Sequence, residues 1–248
     1  MSAAAVHTDG LRKQYGPATA VEALDLCVEA GEIYGFLGPN GAGKSTTIGM
    51  LCTLLRPTAG EALVAGHDVR RAPDAVRRSI GLVFQESTLD GDLTAEENLR
   101  FQAELFGVPR RRARPAISAA LELVDLADRR GTPVRAFSGG MRRRLEIVRG
   151  LLHTPRVLFL DEPTTGLDPQ TRAAIWAYLH RIRDEHGVTV FLTTHHLEEA
   201  EHCDRVGIID RGELLVEGPP AVLKDELAAA TLDEVFLHHT GHAIRDED

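Results

Sequence analysis

The chain has 248 residues, with 28 lysines and arginines against 37 aspartates and glutamates, a formal net charge of −9. That balance speaks against a general nucleic-acid binder, which carries a basic field. Apolar residues make up 43%, enough to pack one sizeable α/β domain or two small ones and too many for a disordered chain.

Taken in chain order, an antiparallel β piece is expected around residues 5–30. "EIYGFLG" at 32–38 is a short apolar run ending in glycine, the pattern of a buried strand. "TTIGMLCTLL" continues at helical spacing and is stopped by Arg56-Pro57. "IGLVFQ" at 80–85, "RVLFLDEP" at 156–163 and "VTVFLTTH" at 188–195 are further buried strands. Helical stretches separate them, the rhythm of a parallel sheet. Between Gln85 and Ser138 the pattern turns helical. Thr94-Ala95-Glu96-Glu97 is a capping box that opens a helix running to Gly107, and another helix is expected over about 115–127. "VGIIDRGELLVEG" at 206–218 reads as an antiparallel hairpin. A second capping box, Thr231 to Glu234, opens a tail helix with Leu232, Val235 and Phe236 on its apolar face.

Cys27, Cys52 and Cys203 lack any C-x-x-C spacing, so all three read as small core residues. The opening "MSAAAVHTDG" has neither the charged start nor the apolar stretch of a signal peptide. No run approaches the roughly 18 apolar residues of a membrane helix. A cytosolic chain is expected, with any membrane spans supplied by another subunit. The basic runs Arg110-Arg111-Arg112 with Arg114, and Arg142-Arg143-Arg144, read as solvated faces.

"GPNGAGKS" carries the chemistry. Gly38, Pro39, Asn40, Gly41, Ala42, Gly43, Lys44 and Ser45 match G-x-x-x-x-G-K-[ST] between a strand and a helix, with Thr46 following. The glycines let backbone N–H groups turn toward phosphates. Lys44 is expected on the β- and γ-phosphates and Ser45 on Mg²⁺. Only three of the 28 basic residues are lysines, so a compact point charge has been kept where phosphate binding needs one. At 161–162, "DE" ends an apolar strand. Asp161 is placed to hold Mg²⁺ and Glu162 to orient or deprotonate an attacking water. Ser138, Gly139 and Gly140 open another helix and make a second anion-binding corner. A phosphate loop with an acidic strand end fits kinases, GTPases, helicases and transporters alike.

Gln85 after a strand, the Ser-Gly-Gly corner, "GLDP" at 166–169 and His195 after "VTVFLTT" complete a set that resembles the ATP-binding cassette (ABC) family from about Leu11 to Gly218. The resemblance implies an α/β P-loop NTPase core with a mixed sheet, an N-terminal antiparallel β subdomain and a helical insert. The expected division is a core over 1–85 and 137–218, a helical subdomain over 86–136 and a helical tail over 219–248.

It further implies ATP as ligand and Mg²⁺ as cofactor. Tyr15 would stack on adenine, Gln85 would reach Mg²⁺ and the attacking water, and Glu162 would be the general base. His195 would contact the γ-phosphate, and Asp168 would be the D-loop aspartate. Ser138, Gly139 and Gly140 would cap the γ-phosphate held by a second chain. The expected assembly is therefore a head-to-tail homodimer, or a heterodimer with a similar ATPase chain, on the cytoplasmic face of a membrane. A separate transmembrane permease subunit is the expected partner, and nucleic acid is not. Met141 and Phe137 depart from the family's usual glutamine and leucine. "SGGMRRRLE" and "TLDEVFLHHTGHA" are similar to the daunorubicin-resistance branch of exporters. A soluble ABC ATPase acting on ribosomes or DNA, or the ATPase of an importer, is the alternative.

Overall fold

The computed structural model describes residues 4–241. Two sheets form its frame. The first is antiparallel: β1 (Ala4–Tyr15) and β2 (Ala18–Glu29) make a hairpin, and β4 (Ala59–Val64) with β5 (His67–Asp68) extends it in the order β2-β1-β4-β5. β2 alternates buried and exposed from Leu24 to Glu29, and β4 from Ala62 to Val64, as one face packed on a core and one in water requires. In β2, Leu26 and Val28 are buried while Cys27 between them is exposed. Cys27 is thus a correction to the reading of three core cysteines. The two-residue period puts it on the wet face, and only Cys52 and Cys203 are buried.

The second sheet has the order β10-β9-β3-β8-β7-β6. Its strands are β3 (Ile33–Leu37), β6 (Ile80–Val83), β7 (Val157–Asp161), β8 (Thr189–Thr194), β9 (Arg205–Asp210) and β10 (Glu213–Gly218). All neighbours run parallel except the edge strand β10, which returns antiparallel to β9. Every residue of β3, β7 and β8 is buried, because both faces are covered. The side-chain alternation inside these apolar runs sorts them by shape. Tyr34, Phe36, Phe159 and Phe191 join the core shared with the antiparallel sheet and α1 (Lys44–Leu51). Ile33, Leu37, Leu158, Leu160, Val190 and Leu192 face the other way. They meet α6 (Pro169–His186) through Ile175, Trp176, Leu179 and Ile182, and α9 (Leu232–Thr240) through Leu232, Val235 and Phe236.

A third core belongs to the helical insert. α3 (Ala95–Leu105), α4 (Arg110–Leu123) and α5 (Gly139–Leu151) share Leu99, Ala103, Ile117, Leu121, Leu145 and Val148. α3 starts at the expected capping box, with Thr94 Oγ1 accepting from the Glu97 amide and Glu97 Oε2 accepting from the Thr94 amide. The second helix differs from its expected span of 115–127. Pro109 is its N-cap, so α4 begins at Arg110 and carries Pro115 inside. Its buried stripe Ala113, Ile117, Leu121 recurs every four residues, and that stripe sets the extent of the helix. The arginines 110, 111, 112 and 114 do lie on the solvated side.

α1 begins at Lys44 and ends at Leu51, earlier at both ends than "TTIGMLCTLL" suggested. Three short helices complete the set: α2 (Pro73–Ser79), α7 (Leu197–Ala200) and α8 (Pro220–Glu226). The tail helix α9 is capped by Thr231, whose Oγ1 accepts from the Glu234 amide. The expected tail's residues 242–248 lie outside the described residues.

Candidate active site

Every candidate strand-end group emerges at the carboxyl edge of the parallel sheet: Gly38 to Ser45 after β3, Gln85 after β6, Asp161 and Glu162 at the end of β7, His195 after β8. Ligands of open α/β sheets bind at this edge.

The phosphate loop is shaped by backbone that crowds it. Gly43, the N-cap of α1, sits at φ 107°, and a Cβ there would stand 2.5 Å from the carbonyl oxygen of Ala20 in β2. Only glycine fits both constraints. Lys44 is 5% exposed, donates to the carbonyls of Gly38 (2.6 Å) and Pro39 (3.2 Å), and lies 3.4 Å from Glu162 Oε1. Its ammonium is held inside the loop by partners that a phosphate oxygen can replace.

Asp161 and Glu162 are buried and point to different neighbours. Asp161 Oδ1 accepts from Ser45 Oγ at 3.3 Å and from Thr193 Oγ1 at 2.5 Å. A serine hydroxyl beside a carboxylate oxygen is a hard-oxygen pair suited to Mg²⁺, which takes its other ligands from water and phosphate. Glu162 Oε1 is 3.1 Å from His195 Nδ1 as well as 3.4 Å from Lys44. The His195 contact is an ion-pair distance, and its Nδ1 has no hydrogen-bond partner among the described residues. Burial pushes the Glu162 carboxyl upward, but Lys44 and His195 together outweigh it and hold the group below its ordinary 4.5. Glu162 is therefore ionised at neutral pH, as a proton acceptor must be.

The backbone of Glu162 is unusual. Its φ is 46°, a left-handed conformation that costs a non-glycine residue about 1–3 kcal/mol and persists only where surroundings enforce it. Its amide donates to Thr193 Oγ1 at 3.0 Å. Thr193 thus touches both acidic residues; its place at the end of an apolar run was the sequence signal for it, and the sequence reading did not use it.

The remaining candidates stand further out. Gln85 is exposed two residues beyond the end of β6, whose last strand residue is Val83 and not Gln85 as the sequence suggested. Tyr15 is 47% exposed at the end of β1, with Lys13 Nζ 4.8 Å from its ring centroid. Ser138 caps α5, its Oγ accepting from the Met141 amide at 3.2 Å. Ser138 and Gly139 are exposed. Gly140 is buried, and a Cβ there would lie 2.4 Å from Thr171 Cγ2. That glycine is required by the approach of α6. Asp168 caps α6, accepting from the amide (3.0 Å) and hydroxyl (2.6 Å) of Thr171, bonds that hold its carboxyl below the usual range. Arg143 corrects the solvated-face reading: it is 6% exposed and reaches the Glu162 turn. Its spacing of three from Glu146 was the available signal.

A family model described as ABC transporter matches residues 21–165, more than half of the chain. The chain belongs to the ABC transporter family. Within that family it is similar to the daunorubicin/doxorubicin resistance ATP-binding protein of Streptomyces peucetius, at 48% identity over 92% of this chain and 69% of that relative. Among solved structures, an ATP-binding subunit of an ABC transporter superimposes with a TM-score of 0.85 at 28% identity, covering 95% of this chain and 99% of that one. An ATP-binding cassette seen as a dimer after hydrolysis, with ADP and phosphate bound, superimposes at 0.77 with 28% identity, covering 86% of this chain and 98% of that one. This ABC cassette binds and hydrolyses ATP. Among the described residues no helix is long and apolar enough to cross a membrane.

Proposed function

We propose that this cassette is the motor of an exporter of drug-like, antibiotic or lipid-like molecules, with Glu162 as the base of its hydrolytic step. The observation that carries the reading is the placement of Glu162 Oε1 between Lys44 Nζ and His195 Nδ1 at the open edge of the sheet. Lys44 turns from the Gly38 and Pro39 carbonyls to the β- and γ-phosphates of ATP, while the amides of Asn40, Gly41 and Gly43 to Thr46 cradle them. Losing Lys44 as its partner frees Glu162 to take a proton from the attacking water. His195 follows the γ-phosphate, and Tyr15 offers its exposed ring to adenine. Ser45 and Asp161, whose side chains meet at 3.3 Å, would hold Mg²⁺ together with Gln85, and the ion would neutralise charge at the phosphates.

The exposed pair Ser138 and Gly139 serves a second ATP, held by the phosphate loop of another chain, and Asp168 lies at the same dimer seam. Two such chains, identical or similar, then close head to tail on two nucleotides. This assigns the nucleotide core to 1–85 and 137–218, the helical subdomain to 86–136 and the tail to 219–248. Phe101 and Leu105, one helical turn apart on α3, are more than 60% exposed, and Phe84 beside Gln85 is 40% exposed. They offer apolar contacts to a separate permease subunit at the cytoplasmic face of the membrane.

Capture from native membranes tests the reading. Tagged Glu162→Gln chain with ATP and Mg²⁺ is expected to retain a polytopic membrane protein. Recovery of ribosomes or DNA-repair proteins instead, with no membrane partner, would overturn it.

A further inference from the structure

α5 does more than present the Ser138 corner. Its residues Arg143, Glu146 and Arg149 recur every three positions and all turn toward the strand ends. Arg143 Nε donates to the carbonyl of Pro163 at 2.7 Å, and Nη2 donates to the carbonyls of Asp161 and Glu162, each at 3.0 Å. One guanidinium thus grips three successive carbonyls of the turn that holds Glu162 at φ 46°. Its Nη1 donates to the carbonyl of Phe84, the residue before Gln85, and lies 3.3 Å from Glu146 Oε2. Glu146 Oε1 accepts from the amide of Thr88 at 2.8 Å, and Arg149 Nη1 donates to the Thr88 carbonyl at 2.9 Å. The loop is therefore pinned on both flanks while Gln85 between them stays exposed.

We propose that Arg143 is a positioning residue for hydrolysis: its single guanidinium locks the Gln85 loop and the Glu162 turn into one register, so that a displacement of the loop is delivered to the carboxylate. The inference rests on the reading of Glu162 as the base. Five N–H groups in a rigid planar fork suit this task, and an ammonium cannot reproduce it. Asp161 and Glu162 lie more than 70 residues beyond Gln85 in the chain, yet one side chain bonds to both segments. Glu146 lets the charge stay buried at 6% exposure by pairing it at 3% exposure.

Two variants test this. Arg143→Lys keeps the charge and loses the fork. The double variant Arg143→Gln with Glu146→Gln removes both charges of the buried pair together, so neither is left facing the other's vacancy. In each, kcat for ATP hydrolysis should fall about 10- to 100-fold, the scale of a misplaced reacting group, while KM for ATP stays within about twofold. Amide hydrogen exchange in the folded variants should quicken together over 84–88 and 161–165. Turnover within about twofold of the parent in both variants, or exchange that quickens in only one of the two segments, overturns the proposal. So does a rise in KM matching the fall in kcat, since that marks a lost binding contact. Glu162→Gln is run alongside: if it too turns over at the parent rate, the base assignment fails. If it is inactive while the Arg143 variants are not, only the positioning role fails.

Discussion

Two corners of this molecule open helices in ways that suit anions, and they are built to opposite rules. The Gly38–Ser45 loop is closed by its own chain. Gly43 is forced by the Ala20 carbonyl, Ala42 O accepts from the Gly212 amide, and the Lys44 charge is answered by Glu162 and two loop carbonyls. The Ser138–Gly140 corner is closed by its chain only at Gly140, which α6 crowds, while Ser138 and Gly139 face outward and a Cβ on Gly139 would meet only Leu167 at 3.7 Å. Nothing inside the chain requires glycine at 139, which leaves its backbone open to approach from outside. The difference matches the proposed division between a pocket that holds nucleotide within one chain and a surface completed by a second.

The sharpest test lies in the first region. Glu162→Gln should lower phosphate release about 10²- to 10⁴-fold, the range of a lost general base, with ATP binding retained. Next, Ser138→Arg should abolish the ATP-driven dimer in sedimentation runs while the monomer's nucleotide affinity stays within about twofold. Loss of nucleotide binding as complete as in Lys44→Ala would erase the distinction between the two corners. Lys44→Ala itself should weaken ATP binding about 10- to 100-fold, as for a lost charged hydrogen bond, by titration calorimetry.

The two neighbouring glycines divide stability from assembly. Gly140→Ala pushes a methyl into Thr171 and should cost about 1–3 kcal/mol in urea unfolding. Gly139→Ala should change stability by no more than about 0.5 kcal/mol and weaken the dimer instead. The smallest effect is the pH dependence of the pocket. Glu162 titrates below its ordinary 4.5 in the folded chain, so its contribution to stability is complete above that value. As pH falls below 4.5, the unfolded chain takes up the proton first, and the contribution is lost as pH passes through the lower folded value. Denaturation at a series of pH values should show this slope in the parent and not in Glu162→Gln.

Much of this was legible in the residues. The phosphate loop, Asp161 with Glu162, and His195 could be placed because each follows a short apolar run, and such runs in a parallel sheet end at one edge. The capping box at Thr94 was legible for the same local reason, its bonds spanning three residues; at Thr231 only the hydroxyl cap forms, because the Glu234 carboxylate accepts from the Ala230 amide instead. Helix α4 starts five residues before the expected 115, because Pro109 as N-cap and the buried Ala113 set its start. The antiparallel strand β4 was not legible since its partner β1 lies some 50 residues away, and the two-residue β5 exists only as an addition to β4.

The sequence by itself determined which groups would meet at the sheet edge, since strand, loop and helix signals are local and the parallel topology brings their ends together. Only the tertiary structure decided where Arg143, Cys27 and Gly140 belong. An arginine within a basic run is solvated or buried according to which carbonyls pack above it, and here those come from the Gln85 loop and the Glu162 turn. The same holds for the aromatic strand residues, whose side of the sheet is fixed by register against strands far away in the chain. Burial is a property of the packed neighbours, and no spacing along one segment contains it.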